Sequence, residues 1–519
     1  MIHPAPAIAP RNLVAGQWLP IPGDTIVARN PARPAEVLWS GTPDPAHLDL
    51  AVAAARSAAP RWAALPFERR AACLRRFADL ARAREADIAA LIRDEVGKPA
   101  WDARQEAALL PAKVDITLDA APAGGLARVT PFDLPISPSR TGRCLFRPHG
   151  VFAVLGPFNF PFHLATGHIV PALLLGNTVV FKPSDKAPAS GTLLAELLHL
   201  AIAAEAPEAP PGVINLLHGS APIAAALAAH PDLDAIAFTG SWPAGRAIMQ
   251  ANLERPGRLL ALEMGGSSAA VVLPDADLHT AALEIVRCAY VSAGQRCTCT
   301  RRAIVHHSIA PRFIAALAKA TSTLIVGDPR GPSPVFMGPL ISAPARDAIL
   351  SAQSALTADG ADLLVPSIPR DIPSCPGGFF LSPGLARVTR FNPIAPAQPE
   401  PELFGPLLRV STARTLDDAI DQANSTRFGL AASLFTRDPA AIDAFTARVR
   451  AGCININTGT AGTSSKLPFG GLGLSGNHRP AGAFALDYCA HPVALMRELA
   501  TTPPTPPEGL LIDPDWLTA

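Results

Sequence analysis

Apolar positions recur at helical spacing between Phe67 and Val96. Leu74, Phe77, Leu80, Ala81, Ile88, Leu91, Ile92 and Val96 share a face, with charged residues between them. The pattern predicts one amphipathic packing helix, stopped by Gly97-Lys98-Pro99. From residue 151 it changes to short apolar runs separated by helix-length segments: VFAVL at 151–155, TVVFK at 178–182, VINLL at 213–217, AIAFT at 235–239, and further runs at 259–262 and 269–273. This alternation predicts a parallel sheet wound with helices on both faces, with ligands held beyond the carboxyl ends of its strands. A second alternating stretch runs from AIVHH at 303–307, through a helix over Ala310 to Ile325, to about residue 450, and predicts another α/β unit. Residues 120–142 and 483–497 are short for domains and read as projecting arms. Residues 365–378 read as a loop and 501–509 as an extended, solvated tail.

Composition narrows the picture. With 519 residues, 49% of them apolar, and a mean hydropathy of +0.24, the chain has enough apolar surface for two or three cores. Its 44 basic and 43 acidic residues leave a net charge of +1, which recruits neither nucleic acid nor anionic membrane, so the expected partner is a small molecule. No basic segment followed by an apolar run opens the chain. The apolar stretch 162–181 is interrupted by His163, His168, Pro171 and Asn177, a poor pattern for a membrane span. A cytoplasmic location is expected. The eight cysteines are scattered and expected to be reduced, and Cys297-Thr298-Cys299 has no second Cys or His pair at finger spacing, so no metal site is expected. Lysine is scarce, present only at 98, 113, 182, 186, 319 and 466.

Five local signatures follow predicted strands or open helices and loops: Gly156-Pro157-Phe158-Asn159-Phe160-Pro161, Phe181-Lys182-Pro183-Ser184, Phe238-Thr239-Gly240-Ser241, Leu262-Glu263-Met264-Gly265-Gly266 and Gly294-Gln295-Arg296-Cys297-Thr298. Two come later: Glu402-Leu403-Phe404-Gly405-Pro406, and Pro468-Phe469-Gly470-Gly471 with Ser475-Gly476. In this order they resemble the aldehyde dehydrogenase superfamily from about residue 12 to residue 497. The resemblance implies an α/β fold with a Rossmann-type cofactor domain over 1–119 and 150–262, an α/β catalytic domain over 263–482, and a small oligomerisation arm over 120–149 and 483–500, followed by a tail over 501–519. It also implies a homodimer or homotetramer and NAD as cofactor.

Oxidising an aldehyde to an acid requires a nucleophile whose tetrahedral adduct can expel hydride, donors for the oxyanion, and a base that activates water. By resemblance, Cys297 is the nucleophile, Asn159 supplies a side-chain NH2 to the oxyanion beside the Cys297 backbone N–H, and Glu263 is the general base. Read alone, Cys297 is compatible with an inert buried thiol, Asn159 with a turn amide and Glu263 with a cap or ion-pair partner. Gly240-Ser241-Trp242-Pro243-Ala244-Gly245 is expected to be a strand-to-helix turn whose free N–H groups and helix dipole favour a pyrophosphate, with Ser241 either cap or ligand. Lys182, Ser184 and Asp185 resemble the residues that grip the adenosine ribose, and Glu402 and Phe404 those that hold the nicotinamide ribose and ring. A solvated surface position is the other reading of Lys182 and Glu402.

Within the superfamily, residues 167–174, 293–299 and the run Gly470 to Pro480 with Asp487-Tyr488-Cys489-Ala490 resemble the branch that oxidises N-succinylglutamate 5-semialdehyde in arginine catabolism. An enzyme for another small semialdehyde is the alternative. A CoA-acylating enzyme fits less well because Glu263 is present, and a non-catalytic scaffold fits poorly with Cys297, Glu263 and Asn159 all intact. Two positions depart from the branch: Phe162 stands where it has glycine, and Ile456-Asn457-Thr458-Gly459 where it has Trp-Asn-Lys-Pro. With no lysine at 458, a dianionic substrate must find its cationic or donating partners elsewhere. The candidates are Arg479 and His478, whose other reading is a structural loop clamp, and the backbone N–H groups of Thr458 to Thr460.

Overall fold

The computed structural model describes residues 3–332, 334–394, 398, 400–500 and 505–517. Five apolar runs form the parallel strands Val151–Leu155, Thr178–Lys182, Ile214–Leu216, Ala235–Gly240 and Leu259–Met264. Across the sheet they lie in the order Leu259–Met264, Ala235–Gly240, Val151–Leu155, Thr178–Lys182, Ile214–Leu216, and the hairpin of Arg11–Val14 and Gln17–Pro20 extends the far edge. Strand order reverses between Val151–Leu155 and Ala235–Gly240, so their carboxyl ends open the crevice in which such sheets bind ligands. The strands are apolar on both faces because both faces are covered. Phe152 and Val154 enter one core, and Val151, Ala153 and Leu155 enter the other.

The run at 269–273 does not join this sheet. It forms Ser268–Val272 inside a second seven-stranded sheet, between Thr300–His306 and Ala431–Phe435. Gly265-Gly266 break the strand after Met264, and the chain crosses into the second unit there. This sheet is also covered on both faces, Ala270 and Val272 entering one core and Ala269 and Val271 the other.

The expected helix over Phe67–Val96 is two helices, Phe67–Ala83 and Glu85–Val96, broken at Arg84 (φ −108°, ψ 16°). Glu85 and Asp87 favour a fresh helix start in that first turn. After the break the helix is buried on every side from Ile88 to Val96, including Arg93, Asp94 and Glu95. Left-handed Gly97 (φ 81°) ends it as expected.

Phe132–Ser137, Arg140–Pro148 and Ala490–Glu498 form a separate antiparallel sheet, with Phe132–Ser137 exposed along its whole length. Residues 485–489, expected in the arm, instead make the helix Ala485–Cys489, which packs Ala485, Leu486, Tyr488 and Cys489 into the first core. Of the expected tail, 501–504 and 518–519 lie outside the described residues; 505–513 are exposed and Pro514–Leu517 is a short 3-10 turn. Among the described residues, no helix is long and apolar enough to cross a membrane.

Candidate active site

The reversal crevice leads into a cavity of about 1210 Å³ whose wall includes Asn159, Glu263 and Cys297 at one part and Ser184, Gly240, Ser241, Trp242, Pro243, Glu402 and Phe404 elsewhere. Asn159 comes from the loop after Val151–Leu155, Glu263 from Leu259–Met264, and Cys297 from the loop that enters Thr300–His306. Two sheets therefore contribute one site.

Glu263 is 1% exposed, and neither of its carboxyl oxygens has a conventional hydrogen-bond partner among the described residues; the Cys297 thiol faces it. Burial, with the Glu402 carboxylate adding to it, pushes the Glu263 carboxyl up to about 8. Cys297 is held well above the ordinary thiol range, first by burial and then by Glu263 and Glu402. The resting pair is thus a neutral thiol beside a largely protonated carboxyl, and ionising either group requires a polar substrate, water or cofactor beside it.

The loop carrying Cys297 is backbone-strained. Ser292 (φ 53°) and Ala293 (φ 54°) are left-handed, and Gly294 follows at φ 71°. Non-glycine residues in that region cost on the order of 1–3 kcal/mol each, and such strain persists only where surrounding contacts impose it. The contacts are present: buried Asp102 accepts from the Ser292 hydroxyl at 2.6 Å and from Arg296 at 2.7 Å, and buried Arg301 donates to the carbonyls of Gly294 (2.5 Å) and Gly405 (2.9 Å). Gln295 donates to the Ser292 carbonyl at 3.1 Å and accepts from the Ile341 N–H at 2.9 Å. Asn159 Nδ2 donates to the Gln295 carbonyl at 2.9 Å, which fixes the amide and leaves its second N–H without a protein acceptor among the described residues. The Cys297 backbone N–H also has none. Gly266 lets the loop approach, since a Cβ there would lie 2.5 Å from the Cys297 carbonyl oxygen.

Residues 240–245 form the expected turn: Ala235–Gly240 ends, Ser241 occupies the N-cap, and the helix Trp242–Ala251 begins with Pro243 in its first turn. The Ser241 side chain makes no capping bond, so its hydroxyl and the first N–H groups of the helix remain available. Ala244 and Gly245 do not line the cavity; Gly245 is buried where a Cβ would strike Met264 Sδ at 2.2 Å, so it serves helix-to-strand packing. Lys182 ends its strand buried, not on a solvated surface, and burial lowers its ammonium to about 8 with Asp185 opposing the shift. Neither Lys182 nor Asp185 lines the cavity, whereas Ser184, between them in sequence, does. Glu402 is likewise enclosed: it accepts from the Gly266 N–H at 3.1 Å, and burial raises its carboxyl to about 7 against the Arg301 charge. Phe404 stands edge-on to Phe158 at 6.0 Å. These features fit a dinucleotide, with a helix N-terminus free for the diphosphate, enclosed polar groups for sugars and an aromatic wall for the ring.

His478 and Arg479 do not reach the cavity. Both are left-handed (φ 55° and 53°), and Arg479 donates to the Gly471 carbonyl at 2.7 Å, a clamp within its own loop. The same run acts as a zipper along the Glu263 strand. Asn477 accepts from the Leu262 N–H at 2.8 Å and donates to the Leu260 carbonyl at 2.9 Å, while the Ser475 carbonyl accepts from the Met264 N–H at 3.0 Å. The backbone N–H of Gly459 is already donated to Glu284 at 2.8 Å, which takes it out of the expected substrate donors. Phe162 is fully buried in the first core, so this departure does not narrow the cavity.

Several residues were not singled out from the sequence. Asp102 and Arg301 carry no local motif, and Gln295 appeared only as a neighbour of Cys297. Arg246 and Gln250 line the cavity from the second and third turns of their helix. His168 Nε2 contacts the Thr239 hydroxyl at 3.1 Å and its Nδ1 the Tyr488 hydroxyl at 2.6 Å, linking the cofactor-side turn to the first core.

The model of the aldehyde dehydrogenase family matches residues 18–493. The chain is 44% identical over 471 residues to N-succinylglutamate 5-semialdehyde dehydrogenase 1 of Caulobacter vibrioides, covering 90% of this chain and 95% of that protein. It is also 44% identical over 461 residues to the N-succinylglutamate 5-semialdehyde dehydrogenase of Sphingopyxis alaskensis, covering 88% and 91%. Among solved structures, an indole-3-acetaldehyde dehydrogenase complexed with NAD+ superposes with a TM-score of 0.85 at 29% identity, covering 95% of this chain and 97% of the other. With that match over nearly its whole length, the chain belongs to the aldehyde dehydrogenase family, which oxidises aldehydes with a pyridine nucleotide.

Proposed function

We propose that the enzyme oxidises N-succinylglutamate 5-semialdehyde to N-succinylglutamate, with NAD as the hydride acceptor and Cys297 as the nucleophile. The observation that carries the chemistry is Glu263, buried and without a conventional partner, facing Cys297 beside an Asn159 amide with an N–H to spare. The substrate rests on the relatives' names and on the three stretches of branch resemblance.

Cys297 Sγ attacks the aldehyde carbon as its thiol proton is lost to solvent water, and the new oxyanion accepts from Asn159 Nδ2 and the Cys297 backbone N–H. Ser241 and the helix N-terminus, Lys182, Glu402 and Phe404 would hold a dinucleotide, which would supply the acceptor for the hydride that the tetrahedral carbon expels. A thioester on Cys297 remains. Glu263 in its ionised form then takes a proton from water, the water oxygen attacks the thioester carbon, and as that adduct collapses the Cys297 sulfur leaves and takes the proton back from Glu263, which releases the carboxylic acid and restores the thiol.

NAD is favoured over NADP because the Asp185 carboxylate, two residues after the Pro183 that follows Lys182, suits a ribose hydroxyl and repels a 2′-phosphate. The first sheet with its helices serves as the nucleotide-binding unit, the second sheet as the catalytic unit and the three-stranded sheet as the oligomerisation arm. Steady-state kinetics over succinylated and free semialdehydes, each with NAD and NADP, tests this reading. The highest kcat/KM is expected for the succinylated substrate with NAD. An equal or higher value for an uncharged aldehyde of similar length contradicts the substrate, and equal values with both nucleotides contradict the cofactor.

A further inference from the structure

Between the helices Ala100–Thr117 and His163–Leu174, the protein buries a cation that it does not neutralise. Lys113 is 2% exposed, and its Nζ makes one hydrogen bond, to the Gly482 carbonyl at 3.2 Å; no carboxylate pairs with it among the described residues. Its neighbours are treated differently. Lys98 is paired with Glu106 at 2.8 Å and Arg296 with Asp102 at 2.7 Å. The acidic group that acts on Lys113 is the Cys489 thiol, which burial holds well above its ordinary range and therefore neutral. An ammonium taken out of water without a counter-charge costs several kcal/mol, a penalty that an anionic ligand beside it would offset.

An unpartnered polar group and a helix face without a side chain stand beside Lys113. His163 lies four residues after Asn159, and its Nδ1 is buried without a partner. Burial and the charges of Lys113, Lys98 and Arg296 keep the ring neutral. Gly167, one turn further on the same helix face, leaves a gap in which an added Cβ would meet only Lys113 Cε, at 3.8 Å. The patch is close to the nucleophile, since Phe160 contacts both the His163 ring (6.2 Å between centroids) and the guanidinium of Arg296 (4.9 Å), the residue before Cys297.

We propose that Lys113, with His163 beside it and Gly167 making room, is the receptor for a distal carboxylate of the aldehyde substrate. This rests on the reading of the substrate as an anionic semialdehyde. It supplies the cationic partner that Thr458 cannot provide and that Arg479, clamped on Gly471, does not offer.

The test compares wild type with Lys113→Met and Lys113→Gln. The quantity read is the ratio of kcat/KM for N-succinylglutamate 5-semialdehyde to that for an uncharged aldehyde of the same length. Loss of a charge-assisted hydrogen bond is expected to lower the ratio about 10- to 100-fold, mainly through KM for the anion. Damage to the fold would lower both rates and leave the ratio in place. Thermal stability of Lys113→Met should equal or exceed wild type, because an unpaired buried charge has been removed. A wild-type ratio near one overturns the substrate reading and this proposal with it. A high wild-type ratio that survives in both variants overturns the proposal alone.

Discussion

Replacing Glu263 by glutamine should abolish water activation and, unusually for a buried active-site change, make the protein more stable at neutral pH. The carboxyl titrates near 8 in the folded protein because it is buried without a conventional partner, and near its ordinary value of 4.5 when unfolded. Between those values the folded state holds a proton that the unfolded state has released, so Glu263 makes stability fall as pH rises through that window. At pH 7, about 2.5 pH units above the unfolded value, the penalty is on the order of 3 kcal/mol, and below about pH 4.5 it vanishes. Glutamine, close in shape and uncharged, removes it. Denaturation of cofactor-free wild type and Glu263→Gln across pH 5 to 8 should therefore show a stability gap that opens as pH rises. The same titration governs turnover when thioester hydrolysis limits the rate: the ionised fraction, and with it kcat, should rise roughly tenfold from pH 6 to 7 and about fivefold from 7 to 8. A stability difference that is flat with pH, or a variant less stable than wild type at pH 7, would refute the reasoning, because it would mean that Glu263 is solvated or paired.

Asp102→Asn should loosen the clamp on the left-handed Ser292 and Ala293 and lower kcat about 10- to 100-fold, while KM for the nucleotide, bound through other residues, changes little. Stopped-flow measurement of the first turnover separates this from a folding defect, and a kcat within about twofold of wild type would show that the clamp does not position Cys297. The exposed strand Phe132–Ser137, with Phe132, Leu134 and Ile136 each about half exposed, is expected to be covered in a homo-oligomer. Light scattering should find a dimer or tetramer for wild type and a smaller species for Leu134→Asp with Ile136→Asp, whereas a monodisperse wild-type monomer at micromolar concentration contradicts it.

The fold was readable wherever one signal dominated. Continuous apolar runs such as 151–155 and 178–182 became strands because both faces of their sheet are covered. Periodicity does not say which sheet a run joins, and the run at 269–273 went to the second sheet because of a two-glycine break, not because of its own residues. The break at Arg84 was hidden because its apolar spacing continues through it and only the burial of charged residues beyond it differs. At the site, the motif residues Cys297, Glu263 and Asn159 meet in one cavity. The residues that hold them in place were not legible: Asp102 is a lone charge on a helix, and Arg301 one arginine of two in a strand, until the strained loop shows what they bond. The Ser-Gly-Asn-His-Arg-Pro run, which carries part of the branch resemblance, lies along the strand of Glu263, where Asn477 bonds the Leu260 carbonyl and the Leu262 N–H. Motif spacing alone does not distinguish such backbone hydrogen bonding from ligand contact.

The central claim is that acylation belongs to Cys297 and hydrolysis to Glu263. Mass spectrometry of Glu263→Gln after mixing with aldehyde and nucleotide tests it most directly. One stoichiometric release of reduced nucleotide is expected, together with an acyl adduct on the peptide containing Cys297, and neither should be seen with Cys297→Ser. Sustained turnover by Glu263→Gln with no adduct at Cys297 would contradict the account.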